Sequence, residues 1–200
     1  MDEHRHTRED TYKQIRMNKE SRENRTGTGL VHIYSGDGKG KTTAGMGLCV
    51  RAAGAGYRVL ICQFMKDGSS SERRAMGHIP GITFVSGRDR VSFSFRMSEE
   101  EKKEERDFCQ RLLEDTIRKA SAEHYDVLFL DEVLYAVGAG FLEESELISF
   151  LEHKSGNLEV ILTGRDPGTR LLELCDYHSE ICKRKHPFDR QQGARDGIER

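Results

Sequence analysis

Gly36-Asp37-Gly38-Lys39-Gly40-Lys41-Thr42-Thr43 is the stretch that decides this chain's fold. It follows an apolar run, Leu30-Val31-His32-Ile33-Tyr34, and leads into a segment that reads as a helix from Thr43 to Ala55. Strand, glycine-rich turn, Gly-Lys-Thr and helix is the layout of a phosphate-binding P-loop. The glycines let successive backbone N–H groups converge on phosphate oxygens, and the helix N-terminus adds its partial positive charge. Lys41 supplies a full charge, and the Thr42 hydroxyl suits the Mg²⁺ (or Mn²⁺) that accompanies a nucleotide. The general pattern has Gly where this chain has Ser35.

Val127-Leu128-Phe129-Leu130 reads as a buried strand ending in Asp131-Glu132. A carboxylate at that end is the usual metal partner of a P-loop Thr. Further strands are expected at Arg58–Phe64, Ile82–Val85, Glu159–Thr163 and, more weakly, His178–Lys183. Ser98-Glu99-Glu100-Glu101 is a capping box opening a long helix to about Ala122. Glu143–His153 reads as another helix, and Pro167 should lie near the first turn of one ending about Cys175. Strands alternating with helices, with unalternated apolar runs at the centre, predict a P-loop NTPase-like (RecA-like) α/β fold: a mostly parallel sheet with helices on both faces. Ligands then bind beyond the carboxyl ends of the strands. The P-loop, Gln63-Phe64-Met65-Lys66, Asp131-Glu132 and Thr163-Gly164-Arg165 should share that rim.

Two hundred residues suit one domain at 29–200, preceded by a polar tail at 1–28 with too little apolar side chain to fold alone. That tail is expected to be mobile, or to order on the domain or its ligand. A net charge of −2 with no basic block does not call for nucleic acid. No signal peptide or membrane-length apolar run is seen, and five Cys without C-x-x-C read as reduced thiols, mostly core, of a cytoplasmic protein. Cys175, His178 and Cys182 fit no common metal spacing. His32 reads as a satisfied core histidine. Arg51, ten residues past Lys41, reads as structural. Lys66 and Arg165 are better placed to contact a bound ligand.

The motif alone leaves the reaction open. Lys39 stands two residues before Lys41, unlike the deviant loop of partitioning ATPases, and no arginine-rich kinase lid is evident. Phe93 and Phe95, among Arg88, Arg90 and Arg96, are either an edge of the core or a face for a flat apolar ligand.

Taken together, the chain resembles the CobA/BtuR-type cob(I)alamin adenosyltransferases from about Leu30 to Glu199. The resemblance is carried by Ser35–Ala44, where the family also lacks the first Gly, and by Arg51-Ala52-Ala53-Gly54 with Gly56. It continues through Gln63–Lys66 with Glu72-Arg73, Leu130-Asp131-Glu132 and Leu162-Thr163-Gly164-Arg165. The tail is its most specific part: Lys185-His186-Pro187-Phe188, then Gly193-Ala194-Arg195 and Gly197-Ile198-Glu199. Departures are Gln191-Gln192 in the spacer, Arg200 where the family usually has Tyr, and Phe95 where it often has Trp.

The resemblance implies transfer of the 5′-deoxyadenosyl group of ATP to Co(I) of a corrinoid, cob(I)alamin or cob(I)yrinic acid a,c-diamide, with release of triphosphate. It implies that Gly36, Asp37, Gly38, Lys39, Gly40, Lys41, Thr42 and Thr43 hold the ATP phosphates, with the nucleotide reversed along the loop. Lys41 and Glu132 would be catalytic. Thr42 and Glu132 would hold the metal, with Asp131 behind them. Arg165 would meet phosphate or corrinoid, and Phe93 and Phe95 the corrin face. A reduced flavoprotein donor, a homodimer and closure of the site by the N-terminal segment are further implications. The competing readings are a P-loop phosphotransferase or ATPase, and a nucleotide-gated corrinoid carrier that forms no Co–C bond.

Overall fold

A computed structural model of the chain describes residues 29–66, 68–85 and 97–198. Its strands are β1 (Val31–Ser35), β2 (Val59–Gln63), β3 (Ile82–Phe84), β4 (Val127–Asp131), β5 (Glu159–Thr163) and β6 (Tyr177–Glu180). They form one sheet in the order β3-β2-β4-β5-β1-β6, with every pairing parallel. The helices are α1 (Lys41–Gly54), α2 (Ser71–Met76), α3 (Glu99–Ala122), α4 (Val133–Gly138), α5 (Glu144–His153) and α6 (Thr169–Leu174), followed by a 3-10 turn at Pro187–Arg190. This is the α/β architecture expected of the alternating pattern.

β2 and β4 are buried at every position, because each face of the sheet is covered by its own helices. Val59, Ile61, Phe129 and Ile161 pack with Met46 and Cys49 of α1 and Met76 of α2. The alternate residues Leu60, Leu128, Leu130, Val160 and Leu162 pack with Cys109, Leu112 and Leu113 of α3, Leu147 and Leu151 of α5, and Leu171 of α6. Cys49, Cys62 and Cys109 are buried, whereas Cys182 is exposed. His32 has its partners: Nε2 lies 2.6 Å from Glu159 Oε1, and the ring stacks on Tyr177 at 4.6 Å.

α3 opens as its sequence requires. The Ser98 N–H donates to Glu101 Oε2 at 2.7 Å, and the Glu101 N–H donates to Ser98 Oγ at 3.2 Å. Other boundaries differ from expectation. α1 begins at Lys41 rather than Thr43. β6 ends at Glu180 and is exposed throughout as an edge strand, so no apolar pattern marks its limits. Gly168 caps α6, which leaves Pro167 just outside the helix. The six-residue helices α2 and α4 were not expected, since fewer than two turns show no period to read.

Topology brings the site together. The chain leaves β1 through α1 and crosses to β2, while β5 fills the place beside β1. The onward connections of the adjacent strands β2 and β4 run in opposite directions, to β3 and to β5, so their carboxyl ends flank the reversal of strand order where open α/β sheets bind ligands.

Phe129 is fully buried at the centre of this arrangement, and a Cβ on Gly45 of α1 would come within 2.4 Å of its ring. Phe129→Ala is expected to cost about 3–5 kcal/mol. Urea unfolding should show a lowered midpoint with little change in slope.

Candidate active site

The P-loop runs from Ser35 to the first turn of α1, with Gly36 and Gly40 at φ 108° and 125°. Lys41 is buried, and its Nζ donates to the Gly38 carbonyl oxygen at 2.9 Å. Burial lowers its pKa, and Arg165 pushes the same way, while Glu132, Asp37 and Asp131 oppose them.

The loop glycines have a second task beside phosphate approach. The segment after β6 lies directly against them, and the Gly38 N–H donates to the Ile181 carbonyl oxygen at 2.7 Å. A Cβ on Gly36 or Gly38 would stand 2.5 or 2.7 Å from that oxygen. Asp37 completes the contact, with Oδ1 accepting the Lys183 N–H at 2.8 Å. That hydrogen bond is the main reason its pKa is lowered.

Asp131 is the hub of the site. It is fully buried and accepts hydrogen bonds on both oxygens. Oδ1 takes the Thr42 hydroxyl at 2.9 Å and the Thr163 hydroxyl at 2.8 Å. Oδ2 takes the Gln63 amide at 3.1 Å and the Lys66 ammonium at 2.7 Å. Thr163 Oγ1 in turn accepts the Glu132 N–H at 2.8 Å.

Glu132 sits at φ 60°, in the left-handed region, as the residue capping α4. Holding a non-glycine residue there costs on the order of 1–3 kcal/mol and marks a geometry enforced by its surroundings. Its carboxylate has no hydrogen-bond partner among the described residues. Burial raises its pKa, with Asp131 adding to the effect and Lys66, Lys41 and Arg165 opposing it. Glu132 joins Lys41, Thr42, Thr43, Met46, Lys66 and Glu72 in lining a cavity of about 590 Å³, to which Gly197 and Ile198 of the C-terminal segment also contribute. A larger cavity of about 860 Å³ lies between α3 and α5 and shares no residue with the P-loop.

The structure thus gathers Lys41, Thr42, Asp131, Glu132 and the loop glycines at one rim. Arg165 is exposed there, near enough to influence Lys41, Asp37 and Glu132. Phe93 and Phe95 lie outside the described residues. The sequence reading did not foresee Thr163 as a partner of Asp131, the seat of Lys66, or the tie from Asp37 to Lys183. A Thr at the carboxyl end of β5 was the visible signal for the first; the other two have no local signature. An all-oxygen set of Thr42 hydroxyl and Glu132 carboxylate fits Mg²⁺, which takes one or two protein ligands beside substrate phosphates.

A Gly-Lys-Thr loop after the first strand, facing a carboxylate pair at the end of a central parallel strand, defines a P-loop nucleotide-binding protein. The chain belongs to the ATP:corrinoid adenosyltransferase family BtuR/CobO/CobP, whose sequence profile matches residues 27–200. The corrinoid adenosyltransferase of Escherichia coli K12 is 30% identical over 171 residues, covering 86% of this chain and 85% of that protein. Corrinoid adenosyltransferase CobA of Salmonella typhimurium is 31% identical over the same length, with the same coverage of both chains. Among solved structures, domain III of the Thermotoga maritima replication initiation protein DnaA overlays with a TM-score of 0.34 at 18% identity, over 86% of this chain and 62% of that one.

Glu132 gives a test with a definite sign. A carboxyl whose folded-state pKa is raised favours the fold while protonated. That contribution is whole below its ordinary value of 4.5 and is lost as pH rises through the raised value. Glu132→Gln is therefore expected to melt higher than wild type at neutral pH in chelator, with the gap closing below pH 4.5. The same variant should bind Mg²⁺ or Mn²⁺ more weakly. Asp131→Asn should instead melt lower and cost about 3–5 kcal/mol, since its amide N–H groups would meet donors where the carboxylate accepted hydrogen bonds.

Proposed function

We propose that this chain transfers the 5′-deoxyadenosyl group of ATP to the Co(I) centre of a corrinoid and releases inorganic triphosphate. The observation that carries this reading is the position of the tail. Gly197 and Ile198 belong to the most distinctive stretch of the family resemblance, and they line the same cavity as Lys41 and Thr42. General P-loop proteins have no counterpart of that stretch.

Co(I) is a strong nucleophile, so the step needs no general base. Its electron pair attacks C5′ of ATP. The Co–C bond forms as the C5′–O bond breaks, and the bonding pair leaves on the triphosphate. The protein's work is to hold C5′ against the corrin and to stabilise the departing oxyanion. Lys41 and the loop amides do the second by pre-positioned charge. Thr42 and Glu132 would hold a magnesium ion, with Asp131 orienting Thr42 from behind. When bound, that ion neutralises charge on the triphosphate. Holding the two reactants in line is the larger contribution, worth roughly 7–11 kcal/mol in well-oriented pairs.

Phe93 and Phe95 complete the reading as the apolar face that displaces the corrin's lower ligand. Loss of that donor makes Co(II) easier to reduce, with a reduced flavoprotein supplying the electron. In this reading the protein works as a cytoplasmic homodimer.

The test is the product. Anaerobic incubation with ATP, Mg²⁺ and chemically reduced cobalamin should give the visible spectrum of an adenosylated corrinoid and one triphosphate per turnover. ADP with phosphate, and no Co–C bond, would show an ordinary phosphotransferase or ATPase. Binding of both ligands without turnover would show a carrier. Lys41→Ala should keep the fold and lose on the order of 10²–10³ in rate; activity within tenfold of wild type would remove the loop from the mechanism.

A further inference from the structure

β2 ends at Gln63, and the chain turns at once through Phe64 and Met65 to Lys66. The Phe64 N–H donates to the Asp131 carbonyl oxygen at 2.9 Å, which ties this turn to the end of β4. Met65 is left-handed at φ 54°, a conformation that non-glycine residues adopt where their surroundings enforce it. The turn seats Lys66 Nζ 2.7 Å from Asp131 Oδ2 and 3.7 Å from Glu72 Oε1 on α2. An ammonium carries three donors. Asp131 takes one, and Glu72 stands beyond hydrogen-bond range. Among the described residues no other acceptor takes the remaining two. The side chain is 25% exposed, and it lines the cavity that holds Lys41, Thr42 and Glu132.

Serving only as the counterion of Asp131 does not explain this placement. Thr42, Thr163 and Gln63 already give Asp131 three donors, one of them on the oxygen that Lys66 reaches. The charge of the cavity points the same way. A fully ionised triphosphate carries more negative charge than one lysine and one divalent cation supply together. Glu132 and Glu72 in the same wall increase the deficit. The position of Lys66 also suits the leaving group: it stands on the turn after β2, whereas Lys41 stands on the loop after β1, with Asp131 between the two strands' ends.

Resting on the reading that ATP is the substrate, we propose that Lys66 is a second triphosphate-binding lysine. Asp131 orients its ammonium, and its remaining donors hold the leaving group opposite Lys41. The bond to Asp131 fixes the side chain before substrate arrives, so little rotamer freedom is lost on binding. Glu72 stands beside it as a second carboxylate.

The test uses inorganic tripolyphosphate as the probe, titrated calorimetrically into the full-length protein with Mg²⁺, and adenosine as the phosphate-free control. Lys66→Gln removes the charge and keeps an N–H donor for Asp131. It is expected to weaken tripolyphosphate binding by roughly tenfold or more, as a lost charge-assisted contact does, and to leave adenosine binding unchanged. Lys66→Arg should recover most of the affinity. A second measurement needs no variant to fold: saturating tripolyphosphate should slow amine labelling at Lys66 of the wild-type protein, mapped by mass spectrometry, and adenosine should not. Tripolyphosphate affinity in Lys66→Gln within twofold of wild type, or labelling at Lys66 unaffected by tripolyphosphate, would overturn the proposal and leave Lys66 as a counterion. The outcome is separable from the reaction itself. Lys66-dependent tripolyphosphate binding in a protein that makes ADP would sink the adenosyl-transfer reading and keep this one. Triphosphate production with Lys66-independent binding would do the reverse.

Discussion

One buried carboxylate holds this site together. Asp131 is removed from water at the end of the central strand β4, where an unpaired charge would be strongly unfavourable. It is tolerated because four donors from separate pieces of chain converge on it: Thr42 from α1, Thr163 from β5, Gln63 from β2 and Lys66 from the turn beyond. Each donor fixes one strand end or helix start relative to the others. The rim of the sheet is therefore rigid where the nucleotide must be placed, and the phosphate loop inherits its position from that network.

The division of labour between the two adjacent acids follows. Asp131 spends its acceptor capacity inside the protein. Glu132 is turned out of the strand by its left-handed backbone, with its N–H taken by Thr163, and its carboxylate lines the cavity. The first serves geometry, and the second is available to a cation. Desolvation of Glu132 beside Asp131 works against its charged form, so the group suited to a metal is also one whose ionisation does not help the fold. Functional sites commonly hold such unfavourable groups in place through their surroundings.

The loop itself is restrained from the other side. Gly38 and Asp37 bind the backbone of Ile181 and Lys183, and the chain then continues toward the 3-10 turn and back to the cavity at Gly197 and Ile198. The C-terminal segment is thereby anchored on the phosphate loop at one point and lines the cavity beside Lys41 and Thr42 at another. Glycine at positions 36 and 38 is needed for this approach as well as for any phosphate.

Much of this was legible in the sequence, because the signals are local. Val127–Leu130 is a continuous apolar run, Ser98–Glu101 is a complete capping box, and Gly36–Thr43 is a loop motif with a strand before it and a helix after it. Their meaning depends on neighbours within a few residues, so the parallel α/β fold, the P-loop and the acidic pair could be placed without coordinates. What tertiary structure alone decided are contacts between distant residues: Thr42 with Asp131 across 89 positions, Lys66 with Asp131 across 65, and Asp37 with Lys183 across 146. A short edge strand such as β6, exposed on all its residues, also leaves no apolar period to read. The sequence specified which groups would reach the rim. Strand order and the demand that a buried carboxylate be fully hydrogen-bonded decided which of them meet.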